Sequence, residues 1–274
     1  MSSLSLGGIT LGYDDVGLAE PLVLVHEHPF DRSMWRPQVD AFGRGGWRVI
    51  APDLRGYGES TVVPGVTTLE TFARDIAGLL DHLGVARFVL GGLSMGGQIV
   101  MECYRLFPRR IRGLLLADTF AAGETPDGTV VRREMAERLL REGMRPYADE
   151  VLPKMVAPHN IRTLPSIAEH VLRMMRGTSP EGAAAALLGR AERLDYRSML
   201  PNVTAPTLVV VGRDDDFTPV RDAQLIHDLI PGATLDVIDG AAHMPNLERP
   251  AEFNMALERF LAGLPKAARN RTAG

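Results

Sequence analysis

Gly92-Leu93-Ser94-Met95-Gly96 lies directly after the apolar run Phe88-Val89-Leu90 and directly before the helix-like run Gln98-Ile99-Val100-Met101. A serine framed by glycines between a strand and a helix is forced onto a tight turn, because only small neighbours let the backbone bend there without collision. Gly91 and Gly97 extend the small-residue frame. The same residues could form a glycine-rich loop with an ordinary surface serine, but strand, turn and helix occur in the order that a presented nucleophile needs. Ser94 is therefore the candidate nucleophile.

The flanking sequence supplies a frame for such a turn. Short β-like runs at Leu22–His26, Arg48–Ala51, Phe88–Gly91 and Gly113–Ala117 alternate with helical patterns. Between Leu69 and Leu83, apolar residues at Leu69, Phe72, Ile76, Leu79, Leu80 and Leu83 recur every three to four positions. This is the βαβ rhythm of a mostly parallel sheet flanked by helices. From 121 to 200 only helical patterns occur, with Val131, Met135, Leu139 and Leu140 read as one apolar face and Arg132, Arg133, Glu137, Arg138 and Arg141 as a solvated one. Strands resume at Thr207–Val211 and Thr234–Ile238, and a last helix runs from Ala251 to Leu261. The expected organisation is a core of 1–120 and 201–264, an inserted all-helical cap at 121–200, and a disordered tail at 265–274.

Composition narrows the partners. A net charge of −4, from 30 Lys+Arg against 34 Asp+Glu, gives no field that favours nucleic acid or an anionic membrane. No stretch approaches the roughly 18 apolar residues of a membrane span, and no basic leader precedes Tyr13, so a cytoplasmic protein is expected. The single Cys103, between Met101 and Leu106 on the helix after Ser94, reads as a packed, inert thiol.

A serine hydroxyl is a weak nucleophile at neutral pH and needs a base within hydrogen-bond reach, with an anion holding that base in the right tautomer. Of the seven histidines, His82, His159, His170 and His227 fall on helical or cap segments, whereas His243 sits on a loop just beyond the last predicted strand. It is the base candidate. Three carboxylates, Asp214, Asp215 and Asp216, follow the strand Thr207–Val211, at the strand end where open α/β sheets place ligands. One of them should orient His243.

With this nucleophile turn, the Ser-then-Asp-then-His order and the inserted cap, the sequence from Leu22 to Leu261 resembles the α/β-hydrolase family. The resemblance implies the α/β-hydrolase fold and, through a Gly-x-x-Asp-x-x-x-Pro pattern, places the acid on Asp215, leaving Asp214 and Asp216 as turn formers. Asp118, after the strand that follows the nucleophile helix, is the alternative acid, used by some relatives. Its other reading is a polar strand end. An oxyanion hole needs two backbone donors; one is expected from Met95, and the resemblance gives the other to His28. Arg55, in a loop matching the family, should brace the sheet edge, and His26 should bond loop backbone under the site.

Glu27 departs from the family, which usually reads His-Gly-x-Pro where this chain reads His26-Glu27-His28-Pro29. A carboxylate there resembles dienelactone hydrolases, in which a glutamate contacts the nucleophile. Two readings stand open: Glu27 points inward and modulates Ser94, water or substrate charge, or it turns away to a backbone amide or Arg55.

The implied activity is hydrolysis of a small or medium carboxylic ester or lactone through an acyl-enzyme on Ser94, without metal or organic cofactor. The small-molecule ester or lactone is the only partner this requires. Within the family the closest resemblance is to esterases, 3-oxoadipate enol-lactonases and cofactor-free haloperoxidases, or perhydrolases. A hydroxynitrile-lyase-like reaction on the same triad, or a ligand receptor with negligible turnover, are the other readings. Phe30, Trp35, Met95, Phe120, Met174, Met175 and Met244 are expected to line the substrate pocket, although methionines at helical spacing, such as Met174 and Met175, also serve as core filler.

Overall fold

The computed structural model describes residues 2–265. Its sheet contains β1 (Ser2–Leu6), β2 (Ile9–Val16), β3 (Glu20–Val25), β4 (Trp47–Pro52), β5 (Phe88–Leu93), β6 (Ile111–Ala117), β7 (Thr207–Gly212) and β8 (Thr234–Ile238). Their spatial order is β1-β2-β4-β3-β5-β6-β7-β8, parallel from β4 through β8 and antiparallel at β1–β2 and β2–β4. The sequence rhythm begins at Leu22, yet the sheet begins at Ser2. Gly7 and Gly8, both at positive φ, close a two-residue hairpin between Leu6 and Ile9, a turn that only residues tolerant of that backbone make cheaply.

The core helices are α1 (Arg36–Arg44), α2 (Leu69–His82) and α3 (Met95–Leu106) in the first half of the chain. Thr68 caps α2 by accepting the Thr71 amide at 3.1 Å. Five helices intervene between β6 and β7: α4 (Pro126–Glu142), α5 (Met144–Met155), α6 (Pro158–Thr163), α7 (Pro165–Gly177) and α8 (Pro180–Arg190). The chain then returns to the core with α9 (Val220–Leu229), α10 (Pro245–Glu248) and α11 (Pro250–Ala262). Of the tail expected at 265–274, all but Pro265 lies outside the described residues.

Two apolar clusters fill the faces of the sheet, one beneath α2, α3 and α9, the other beneath α1 and α11 and reaching α5 and α7. The apolar face expected on α4 is buried only in part, at Leu139 and, half-buried, Met135. Ala136 and Leu139 are buried there, whereas Val131 is 60% exposed and Leu140 55% exposed. The reason is the docking partner, because α4 packs against α8 through Ala136, Leu139, Ala183, Ala184 and Leu187 rather than onto the sheet. At its C-terminal end α8 approaches the core backbone closely: a Cβ on Gly189 would lie 1.8 Å from the Thr67 carbonyl oxygen. That contact sets the position of Arg190, the next residue.

Candidate active site

The parallel strands place their carboxyl ends on one edge, and the loops after β3, β5, β7 and β8 meet there. β3 lies between β4 and β5, so the chain reverses direction across the sheet at β3, which is where open α/β sheets leave a crevice. Glu27 and His28 follow β3, and Ser94 follows β5.

Ser94 has φ 54° and ψ −114°, a backbone conformation that costs a non-glycine residue on the order of 1–3 kcal/mol. The flanking glycine makes it attainable, since a Cβ on Gly96 would fall 2.3 Å from the Val25 carbonyl oxygen. The turn is braced on both sides. The Ser94 amide donates to the Ala117 carbonyl at 2.9 Å, and the Thr119 hydroxyl donates to the Ser94 carbonyl at 2.7 Å. Met95 opens α3, so its amide is one of the helix-terminal donors without an intrahelical acceptor. Neither that amide nor the amide of His28 has a hydrogen-bond partner among the described residues.

His243 is 2% exposed and held between two carboxylates. Its Nδ1 lies 2.8 Å from Asp215 Oδ2, and its Nε2 lies 3.1 Å from Glu27 Oε2. Burial works against charge on the ring, but Asp215 and Glu27 overcome it and hold its pKa well above the ordinary histidine value. Asp215 Oδ1 accepts the amides of Phe217 at 2.8 Å and Thr218 at 3.2 Å, while Oδ2 also accepts the Thr218 hydroxyl. Burial opposes its ionisation, yet His243 and Thr218 outweigh that cost and pull its pKa down to about 2.

Glu27 therefore points inward. It is 1% exposed, burial raises its pKa, and the neighbouring ring of His243 offsets only part of that rise. Arg55 is engaged elsewhere, in a two-pronged pair with Asp75. His26 accepts the Leu54 amide on Nε2 at 2.9 Å, so its Nδ1 donates to the Glu27 carbonyl at 2.8 Å, which fixes the loop carrying both residues.

Asp118, at φ 42°, accepts the Gly212 amide on Oδ1 at 2.8 Å. Burial and the adjacent Asp215 raise its pKa well above the usual carboxylate range. Oxygens of Asp118 and Asp215 and a ring nitrogen of His243 lie within 4.8 Å of one another, the one metal-sized cluster among the described residues. Both Asp215 oxygens and the His243 Nδ1 are already hydrogen-bonded, so the group is arranged around protons. The turn after β7 is made by Asp215 itself, whereas Asp214 and Asp216, expected as the turn formers, are exposed.

Ser94, His243, Glu27, His28 and Thr218 open onto a cavity of about 490 Å³ whose roof comes from α4, α5 and the end of α8. Phe120 lines it as expected. The other apolar residues assigned to the pocket do not. Phe30, Trp35, Met174, Met175 and Met244 are buried in the cluster between sheet and helices, and Met95 packs under α3. They are large apolar groups on helices and loops that pack back onto the core, and burial there removes more of their surface from water than a solvent-filled cavity does. Val131, Met135, Tyr147, Val151, Met155 and Leu187 supply the apolar lining instead. Thr218, Arg190 and Glu248 also serve this site, and no motif in the sequence singles them out. Glu248 accepts the amides of Ala157 and Ala242, each at 2.8 Å, and the Asn160 side chain at 2.7 Å, tying α6 to the His243 loop.

A family model described as alpha/beta hydrolase fold matches residues 20–250. The chain belongs to the α/β-hydrolase fold family. This α/β-hydrolase is 30% identical to 3-oxoadipate enol-lactonase 2 of Acinetobacter baylyi, over 94% of the chain and 96% of the relative. Among solved structures it is similar to a thermophilic esterase from Thermogutta terrifontis, determined with malate bound, at 40% identity and TM-score 0.91 over 95% of this chain and 96% of the other. The enol-lactonase of Burkholderia xenovorans is 30% identical with TM-score 0.88, covering 95% of this chain and all of that one. Among the described residues no helix is long and apolar enough to cross a membrane.

Proposed function

We propose that this α/β-hydrolase is a carboxylic ester hydrolase that cleaves a small or medium ester or lactone through an acyl-enzyme on Ser94. The observation that carries this reading is the Asp215–His243 contact of 2.8 Å in the cavity onto which Ser94, held at φ 54°, also opens. Relatives named for esterase and enol-lactonase activity over nearly their whole length support it.

In this mechanism the neutral imidazole turns its Nε2 from Glu27 to the Ser94 hydroxyl and takes its proton as Oγ adds to the ester carbonyl. The negative charge that develops on the carbonyl oxygen is met by the amides of His28 and Met95, donors of a kind commonly worth about 3 kcal/mol each. Collapse breaks the bond to the alkoxide, which leaves with the proton from Nε2. Water then gives a proton to Nε2, adds to the acyl carbon, and Ser94 departs with that proton restored. Asp215 keeps Nδ1 protonated throughout.

A panel of aryl esters and lactones, run with the wild type and Ser94→Ala, tests the proposal. Turnover by the wild type, a loss of at least about a thousandfold in Ser94→Ala, and an acyl adduct seen by intact mass only in the wild type are expected. Equal rates for the two proteins would refute it. Rapid ester turnover would also set aside the lyase and receptor readings, which require none.

A further inference from the structure

The cavity roof contains a buried cation without a carboxylate partner among the described residues. Arg32, Arg190 and Arg193 are the buried arginines among the described residues. Arg32 meets Asp14, Asp53 and Glu59, and Arg193 meets Glu124 at 3.3 Å. Arg190, 8% exposed and lining the cavity, has no carboxylate partner among the described residues; its single hydrogen bond runs from Nε to Gln98 Oε1 at 3.3 Å. A guanidinium does not lose its proton in a protein, and a buried, unpaired charge is costly.

The other charges facing the cavity are already matched or repel it. Glu27 is paired with His243, Glu150 with Arg138 at 2.8 Å, and Arg132 with Glu124. Lys154 adds a further cation at the rim, also without an ion pair among the described residues. A second unpartnered donor stands beside Arg190. The Tyr57 hydroxyl, with no other acceptor among the described residues, donates to His28 Nδ1 at 2.8 Å, which leaves the proton of the neutral ring on Nε2. That Nε2 is buried and has no hydrogen-bond partner among the described residues. Burial, then the nearby Arg190, hold the His28 pKa well below its ordinary value, so the ring stays neutral. The Tyr147 hydroxyl, whose pKa burial pushes up to about 12, lines the same wall as a further donor.

We propose that Arg190, with His28 Nε2 and the Tyr147 hydroxyl, forms an anion subsite that receives a second, ionised carboxylate on the ester or lactone substrate. The inference rests on the hydrolase reading and narrows it from esters in general to half-esters and lactone acids. The guanidinium fork matches a carboxylate in two parallel hydrogen bonds, and it is held by a helix end fixed against the core at Gly189. Arg190 acts on binding and has no hydrogen bond to His243 among the described residues.

The test compares the nitrophenyl half-ester of glutarate with its methyl-capped neutral counterpart, in the wild type, Arg190→Met and Arg190→Lys. The wild type should prefer the anionic ester, and Arg190→Met should lower the ratio of kcat/KM values, anionic over neutral, by about 10- to 100-fold, chiefly through KM. Arg190→Lys should keep part of the preference. Calorimetric titration with glutarate alone gives a readout without turnover, expected to weaken at least about tenfold in Arg190→Met. Should no ester be cleaved while glutarate still binds in an Arg190-dependent way, the hydrolase reading falls and the subsite stands. Should esters be cleaved with an unchanged ratio in Arg190→Met, or glutarate bind both proteins alike or neither, the subsite is overturned. If Arg190→Met does not fold, as judged by circular dichroism, Arg190→Lys and Arg190→Gln carry the same comparison.

Discussion

Two neighbouring aspartates differ in their work, and exchanging each for asparagine separates them. Asp215 accepts four hydrogen bonds, from the amides of Phe217 and Thr218, the Thr218 hydroxyl and His243 Nδ1. Asparagine offers one acceptor oxygen, so either of its orientations sets an amide N–H₂ against donors, and the imidazole responds by moving its proton to Nε2. That tautomer cannot accept the Ser94 proton. The expected loss in Asp215→Asn is on the order of ten-thousandfold in kcat, which corresponds to about 5.5 kcal/mol of barrier. Asp118 accepts the Gly212 amide on one oxygen and has no hydrogen bond to His243 among the described residues, so asparagine reproduces its shape and that acceptor. Asp118→Asn should stay within about threefold of the wild type, an energy difference under about 0.7 kcal/mol. Initial rates on a nitrophenyl ester, with thermal melts to check folding, decide the matter. Equal losses in the two variants, or an Asp215→Asn enzyme with more than about a tenth of wild-type activity, would refute the assignment of the two carboxyls.

Glu27→Gln removes one of the two negative charges that favour the imidazolium. The neutral ring is the working base, and Glu27 holds its pKa up, so the acid limb of the pH–rate profile should move to lower pH; an unmoved limb or an upward shift would contradict the role drawn for Glu27. Glu248→Ala leaves the buried amides of Ala157 and Ala242 and the Asn160 side chain without their shared acceptor, at an expected cost of about 4 kcal/mol. Urea unfolding measures it, and a loss under about 1 kcal/mol would show that the carboxylate clamp is not holding the His243 loop to α6.

Much of the site was legible because its parts are local. The frame of Ser94 follows from steric contacts within a few residues, and His243 and the three aspartates could be placed by their position after predicted strands. The direction of Glu27 was not legible. An inward carboxylate and one turned toward Arg55 fit the same four residues, and the choice depends on His243 arriving from 216 positions away, with Asp75 occupying Arg55. The pocket lining failed for a related reason. Apolar residues such as Trp35 and Met244 look alike whether they face a cavity or a core, and only the packing of α1, α11 and the intervening helices assigns them.

The sequence by itself determined the alternation of strands and helices and the bend that presents Ser94, since both arise from short-range sterics and hydrophobic periodicity. Tertiary structure alone decided which charges meet. Arg32, Arg190 and Arg193 are indistinguishable as letters, yet two are buried against carboxylates and the third against a cavity. Electrostatic partnership is set by distances of a few ångströms between segments far apart in the chain, and those distances exist only once the layers have packed.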